Sequence, residues 1–192
     1  MNFLLILSFF ITFSFSQNII HDKIERSIFF YNSYDNKTSL GIGCQNSNGQ
    51  TNKYFSGSIW LSDNLAISSS LSNSSIDSDI NLYYNYSMAY IPLIFKTNNI
   101  SAKFNFGMHR IRFYKNKSSR WYDLSIVSDF NYNKNKIILS WHYFTTIKTK
   151  HIINLAYKKS IYKKLNILIE SKFYTKNKKI SIQPNLQLII NL

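Results

Sequence analysis

The chain ends in KISIQPNLQLIINL at residues 179–192, a stretch in which apolar and polar residues alternate. Even positions are apolar from Ile180 to Leu192, and odd positions are polar from Ser181 to Asn191, with Ile189 as the exception. Successive side chains of a β-strand point to opposite faces, so this pattern predicts a strand with one apolar and one polar face.

The same alternation recurs upstream, at residues 80–90, 102–108, 122–132 and 165–174. The apolar parity changes after Met108, which predicts a β-bulge near His109–Arg110. Helical periodicity is absent after the first residues, Gly and Pro are few, and β-branched and aromatic residues dominate the segments between polar breaks. We therefore predict an all-β fold.

Alternation fits either a soluble barrel with an apolar interior or a membrane barrel with a polar one. Strand length favours the membrane, since several predicted strands exceed the roughly 9–11 residues that cross a bilayer at a tilt. Aromatic residues near strand ends point the same way, because they suit the membrane interfaces. These aromatic residues are Tyr54, Trp60, Trp121, Tyr122, Tyr143, Phe144, Phe173 and Tyr174.

Turn spacing sets the number of strands. Tight turns are expected at residues 62–64, 97–99, 133–135 and 162–163, and the intervening breaks, such as 45–53 and 73–79, are read as longer loops. Small barrels have short periplasmic turns and longer external loops, which gives about ten strands. The predicted strands are 38–44, 54–61, 65–72, 80–95, 100–114, 120–132, 136–147, 151–161, 164–174 and 179–191.

The strand count ranges from eight, if short elements merge, to twelve. Residues 26–35 either extend the first strand or form a separate one. Pro92 and Pro184 fall inside predicted strands, where each removes a hydrogen-bond donor, so locally open pairing is expected at both.

The amino terminus predicts export. Residues 3–15 are largely apolar but shorter than the roughly 20 residues of a spanning helix, and Ser14 and Ser16 suit a cleavage site. We predict a signal peptide at 1–16 and one barrel domain at 17–192, with an uncleaved anchor helix as the alternative. No later stretch approaches the length of a transmembrane helix.

The net charge is +14, and the lysines cluster in the predicted turns. The charge indicates either contact with an anionic surface or the Lys-rich composition of an AT-rich genome. We predict outer-membrane lipid and lipopolysaccharide as partners and, because of the export signal, no nucleic acid. The single cysteine, Cys44, excludes an internal disulfide. The oligomeric state is not predicted.

Chemical motifs are sparse, and we predict no catalytic, cofactor-binding or metal-binding residue. Ser140 and His142 share the polar face of one strand, and Asp123 and Asp129 lie on its neighbour. A hydrolytic trio is conceivable there, but a hydrogen-bonded lumen network is favoured. Glu170 and Lys172 are interpreted as part of the same network. Residues 77–79 carry two carboxylates in a predicted external loop, and a solvated loop is the default there rather than a calcium site.

Three features resemble those of small bacterial outer-membrane β-barrel proteins. Tyr90-Ile91-Pro92-Leu93 looks like a strand-ending pattern of these barrels, and the hairpin over 155–174 is similar to their closing hairpins. The last strand resembles their carboxyl-terminal recognition strand, although Leu192 replaces the usual Phe. The resemblance spans nearly the whole chain and implies insertion by the barrel assembly machinery into the outer membrane.

The sequence therefore predicts an up-and-down antiparallel transmembrane β-barrel with a structural or surface-interaction role and no enzymatic activity. One alternative is a soluble exported lipocalin-like barrel that carries an apolar ligand, which requires apolar side chains to point inward. The other is an outer-membrane barrel hydrolase, which requires a Ser/His/acid set within hydrogen-bonding reach at a lipid boundary.

Overall fold

The computed structural model describes residues 37–47, 50–76, 79–113, 118–144, 151–176 and 179–192. The predicted signal peptide at 1–16 and the segment 26–35 lie outside these residues. No helix within the described ranges is long and apolar enough to cross a membrane. The strands are β1 (Ser39–Ser47), β2 (Gln50–Ser62), β3 (Leu65–Ile76), β4 (Asp79–Tyr90), β5 (Leu93–Lys96), β6 (Ile100–Phe113), β7 (Ser118–Tyr132), β8 (Asn135–Phe144), β9 (His151–Tyr162), β10 (Leu165–Lys176) and β11 (Lys179–Asn191).

The strands form one closed antiparallel sheet in up-and-down order. The order is β4-β3-β2-β1-β11-β10-β9-β8-β7-β6. Strand β4 also pairs with β6, which closes the ring, and this pairing ends where Tyr90 lies opposite Phe106. The short β5 pairs with β6 just beyond the end of β4, so β4 and β5 form one wall interrupted at residues 91–92. The result is a closed 10-strand barrel, which confirms the predicted fold.

Pro92 lies in a break of the wall, and Pro184 lies where pairing with β1 has ended, although it still pairs with Ser171 of β10. The interruption between β4 and β5 contains Pro92, whose carbonyl accepts a hydrogen bond from the Phe104 amide at 3.1 Å. Pro184 lies one residue beyond Asn185, the last β11 residue paired with β1. Proline lacks an amide donor, so these positions cost the sheet little.

The bulge predicted near His109–Arg110 is wrong. Strand β6 keeps an unbroken register with both neighbours there, and the register instead shifts near Trp60, Leu93 and Leu165. A change of apolar parity therefore need not mark an inserted residue, because ladder hydrogen bonds depend on the backbone and tolerate either side-chain type.

At the barrel end opposite the tight turns, the strands are longer than the apolar pattern predicts. Residues 45–53 were expected to form a long loop, but β1 continues to Ser47 and β2 begins at Gln50. Likewise, β3 continues to Ile76 and β4 begins at Asp79. Neighbouring strands supply backbone partners to these polar residues, so the ladder persists where hydrophobicity has ended.

The two faces of the barrel have the polarity of a membrane protein. On β9, Ile153 and Leu155 point outward and are each 49% exposed, whereas Asn154 and Lys158 point inward and are buried. Among the described residues, buried polar and charged side chains outnumber buried apolar ones. An apolar outer surface is what a lipid-facing barrel requires. The soluble lipocalin-like alternative is wrong, since it needs the reverse polarity.

Some of the aromatic residues expected at the membrane interfaces face the lumen instead. Tyr54 and Tyr174 are inward and buried, and the half-buried Trp60 packs against the interior apolar residues. At the end with the tight turns, the exposed aromatic residues include Tyr132 and Tyr162. Strand parity decides the face of each ring, so proximity to a strand end does not suffice to assign a ring to the interface.

Two glycines on the lumen face of β1 leave space for side chains of β2 and β11 to meet across this strand. A Cβ atom at Gly43 would lie 2.5 Å from the Tyr54 hydroxyl oxygen, and one at Gly41 would overlap the Gln187 side-chain amide. The side chains of β2 and β11 therefore occupy the space that larger β1 residues would fill. Close approach of this kind is a common reason for glycine within a strand.

We expect Gly43→Ala to destabilise the barrel by about 1–3 kcal/mol, the usual cost of overpacking a filled interior. The measurement is the temperature at which the folded band is lost on an SDS gel of unboiled protein. The matched control is Gly57→Ala, whose Cβ would meet only the flexible Leu40 side chain at 3.3 Å and the Ser39 carbonyl oxygen at 3.9 Å. Equal losses in both variants would contradict the packing argument.

Candidate functional site

The lumen contains three successive layers of side chains between its two ends. A basic layer lies at the mouth formed by the tight turns and the chain termini, an apolar layer follows, and polar networks fill the interior beyond it. On β8 alone, Lys136, Ile138, Ser140 and His142 follow one another through these layers. Strand geometry explains the sequence of layers, since every second residue of a strand faces the lumen.

The mouth at the tight turns holds two neighbouring cavities, which we call the basic vestibule. The first cavity has a volume of about 310 Å³ and is lined only by lysine, asparagine and serine residues. The second has a similar volume, about 310 Å³, and shares Asn131 and Lys136 with the first. It also contains Lys96, Lys103 and the vestibule's one acidic lining residue, Asp129.

Asp129 is held by three neighbours at the border between the two cavities. It accepts hydrogen bonds from the Ser101 hydroxyl at 2.7 Å and the Asn131 amide at 3.1 Å, and its carboxylate lies 3.6 Å from the Lys136 ammonium. Its negative charge is therefore engaged within the wall of the vestibule, on the side of the second cavity.

The layer beyond the vestibule is an apolar collar. Its members belong to one cluster of buried side chains contributed by successive walls of the barrel. On five consecutive strands, β7 to β11, each member is no more than 2% exposed: Val127, Ile138, Ala156, Leu168 and Ile189. Ala66 and Ile91 continue the cluster on the opposite walls. The described residues of β1 and β6 add no member to this cluster, so the collar covers most, but not all, of the walls between the vestibule and the polar interior.

One polar network connects β6, β7, β8 and β9. The Asn105 amide donates to Asp123 at 3.0 Å, and the His142 Nδ1 atom lies 3.1 Å from the Asp123 carboxylate. The His142 Nε2 atom lies 3.0 Å from the Ser140 hydroxyl oxygen, which accepts a hydrogen bond from Asn154 at 3.3 Å. Hydrogen bonding of this kind is what buried polar groups require.

A second network covers the opposite wall. Tyr54 donates to the Asn185 side chain at 2.8 Å, and Asn185 in turn donates to Glu170 at 2.8 Å. The Lys172 ammonium donates to Gln45 at 2.9 Å and is fully buried. Glu170 and Lys172 also attract each other, being opposite charges two residues apart on one strand face.

The structure thus unites Asp123, His142 and Ser140 in the order of a hydrolytic triad, but inside the lumen. All three are buried, with no residue more than 1% exposed. The hydrolase alternative requires these groups at a lipid boundary, where a substrate can reach the serine. Asp129, which the sequence places beside them, lies instead at the vestibule and takes no part in this network.

His151 does not take part in this network. His151 is exposed at the start of β9 and stacks on Trp141 with ring centroids 5.7 Å apart. His21, Asp77 and Ser78 lie outside the described residues. Within the part of the chain that is described, no group of three or more His, Cys, Asp or Glu side chains could hold a metal ion.

Sequence reasoning placed Gln183 and Gln187 on the polar face of the last strand, but it missed the inward position of Gln45 and Tyr54 and the convergence of lysines at one mouth. The turn lysines Lys134 and Lys163 were noted as turn residues, but their convergence depends on which turns close the same end of the barrel.

Comparison with known proteins shows similarity of fold only. A scan against models of known protein families finds no match, and a search of curated proteins also finds none. The solved structure of the KdgM porin is 9% identical, covers 80% of this chain and 99% of that chain, and has a TM-score of 0.53. A structure of the same porin in complex with disordered oligogalacturonate gives the same values. The N-terminal barrel domain of Pseudomonas aeruginosa OprF is 10% identical over 82% of this chain and 98% of that chain, with a TM-score of 0.40.

The closed sheet, its apolar outer face and the likeness in fold to these outer-membrane barrels agree with one another. The chain is an outer-membrane-type β-barrel of the bacterial outer membrane. It resembles porins and channels in architecture, and no specific subfamily follows from the likeness.

We expect Ser140→Ala to lower the free energy of unfolding by about 1–3 kcal/mol, because it leaves buried groups of His142 and Asn154 without this partner. Urea unfolding in lipid vesicles measures the loss. The matched control is Ser69→Ala on the exposed face of β3, which should change stability by less than about 0.5 kcal/mol. A fluorophosphonate probe should leave the folded protein unlabelled, and labelling that disappears in Ser140→Ala would contradict a structural role.

Proposed function

We propose that this protein is a closed outer-membrane scaffold that anchors its loop end at the cell surface and does not conduct solutes or catalyse a reaction. Insertion by the barrel assembly machinery belongs to the same proposal. The observation that carries it is the apolar collar, which spans β7 to β11 and continues onto the opposite walls. An apolar constriction of a pore excludes ions by dewetting.

The layers on both sides of the collar support the proposal. Beyond it, His142 and Lys172 are fully buried, and side-chain hydrogen bonds connect neighbouring walls. A barrel of this strand number has an interior that side chains can fill. A lumen filled with bonded side chains leaves little room for a diffusing solute.

The absence of catalysis is also proposed on geometric grounds. The Ser140 oxygen contacts both His142 and Asn154, and the serine is buried. Hydrolysis needs space beside the nucleophile for a substrate carbonyl and donors for its developing negative charge. The same three residues instead connect the strands that carry them.

The test is conductance of the purified barrel in planar lipid bilayers. We expect the wild-type protein to give no discrete channels. The variant Ile138→Ser/Leu168→Ser/Ile189→Ser should give at most a small leak, because water can enter the altered collar but the hydrogen-bonded side chains beyond it still fill the lumen. Lys159→Gln, an exposed change on β9, is the matched control and should remain closed.

Discrete wild-type channels that persist unchanged in the collar variant would overturn the closed-scaffold proposal. In that case the barrel would be a narrow channel, and a reversal potential measured in a salt gradient would give its ion preference. Heat-modifiability on SDS gels confirms that each variant is folded before it is measured.

The pairing register of β6 with β7 favours a binding role for the loop end of β6. Arg110 is exposed and lies directly opposite Arg120 of β7. Like charges directly opposite in an antiparallel pair are destabilising. Phosphate groups bind arginine guanidinium groups, and lipopolysaccharide carries phosphates. We infer that lipopolysaccharide contacts the exposed Arg110.

We expect Arg110→Gln/Arg120→Gln to weaken binding of fluorescently labelled lipopolysaccharide about tenfold, since exposed ion pairs contribute about 0.2–1 kcal/mol each and about 1.4 kcal/mol is a tenfold change. Titration of the micelle-embedded barrel measures the affinity. Lys53→Gln is the control, because Lys53 is exposed near the same end on another wall. An equal effect of Lys53→Gln would show non-specific attraction and contradict the site.

A further inference from the structure

The first cavity of the basic vestibule has an unusual lining. Its lysines are Lys37, Lys134, Lys136, Lys158 and Lys163, and its other lining residues are asparagines and one serine, Ser160. Within the part of the chain that the structure describes, no carboxylate side chain lines this cavity, and Asp129 borders only the second one. The lining therefore combines several positive charges with amide and hydroxyl groups that can donate hydrogen bonds.

The lysines reach this place from separate parts of the chain. Lys134 and Lys163 lie in the β7–β8 and β9–β10 turns, Lys37 precedes β1, and Lys158 projects from the inner face of β9. They meet because barrel closure brings these turns and the amino-terminal end of β1 to one mouth. Bringing like charges together in one concave site raises its positive potential.

Backbone hydrogen bonds fix the segments that carry these lysines. The Ser160 amide donates to the Lys134 carbonyl, and the Asn191 amide donates to the Lys164 carbonyl, both at 2.9 Å. The Leu192 amide donates to the Thr38 carbonyl at 2.9 Å. Asn133 adopts a φ of 54°, a left-handed turn conformation that asparagine tolerates. The vestibule is consequently pre-organised, which lowers the entropic cost of binding.

We propose that the first cavity is a binding site for a small multivalent oxyanion, a molecule that carries several phosphate or carboxylate groups. Lysine ammonium groups bind such oxyanions as point charges, and the asparagine amides can donate to the remaining oxygens. The volume of about 310 Å³ lies at the lower end of the range of small-ligand sites, roughly 300–1,000 Å³. A compact anion fits this volume, whereas a folded domain does not.

The ligand reaches the site from the periplasm. Outer-membrane barrels place their short turns and both termini on that side, and the first cavity lies among these turns. The apolar collar lies deeper in the lumen, so occupancy of the cavity does not depend on whether the barrel conducts. A closed barrel and an open one would both present this site.

The experiment is isothermal titration of the full-length barrel, in zwitterionic micelles at low salt, with sodium tripolyphosphate as the probe. We expect saturable binding that weakens as salt is added, because several ion pairs form. Lys158→Gln and Lys163→Gln should each weaken binding about tenfold, as expected for loss of a hydrogen bond from a charged group. Lys163 lies in an exposed turn, so its replacement tests the site even where Lys158→Gln impairs folding.

Lys159→Gln is the matched control, because Lys159 follows Lys158 on β9 but points outward. It makes the same change in net charge and should alter affinity less than about twofold, as surface charges contribute little. Equal losses in Lys158→Gln and Lys159→Gln, or no saturable binding by the wild type, would overturn the proposal.

A second arm distinguishes a soluble oxyanion from a lipid headgroup. The titration is repeated in nanodiscs that contain phosphatidylglycerol. Unchanged, Lys158-dependent binding of tripolyphosphate indicates a soluble ligand. Competition by phosphatidylglycerol that disappears in Lys158→Gln indicates that lipid phosphate occupies the same oxyanion site. Competition that is equal in the variant and the wild type would contradict a specific site.

Discussion

Closure of the hydrogen-bond ladder is the constraint on which this structure depends. A strand in lipid has no water to satisfy its backbone, so an open sheet edge within the bilayer is excluded. The pairing of β4 with β6 removes the last edge, and β5 continues the same wall beyond Pro92. The interruption at Pro92 occurs where the ladder changes partners, which allows a residue without an amide donor to lie in a closed wall.

A closed ring of this size has a narrow interior, and the interior determines what the barrel can do. Its side chains must be hydrogen-bonded, since unpaired polar groups are costly away from water. The glycines of β1 allow Tyr54 and Gln187 to reach across a neighbouring strand to their partners. The triad order of Asp123, His142 and Ser140 arises from the same requirement: donors and acceptors on adjacent strands pair wherever the register places them together.

Charge is distributed unevenly through this interior. The inner networks combine Asp123 and Glu170 with His142 and Lys172, whereas the described lining of the first cavity contains lysines and no carboxylate side chain. Part of the high net charge of the chain is therefore concentrated at the vestibule, and composition alone could not distinguish such a cluster from genomic bias. The apolar collar lies between the two regions on most walls of the barrel.

The sequence by itself determined the strands, their alternation, the tight turns and the polarity expected of a membrane barrel, because each depends on residues close together in the chain. It also placed Ser140 and His142 on one face, since strand parity is a local property. Only the tertiary structure decided which turns share a mouth, that β6 has no bulge at His109–Arg110, and that Tyr54 reaches Asn185 across β1. These features depend on register between strands and on closure of the ring, where backbone pairing and packing outweigh local composition.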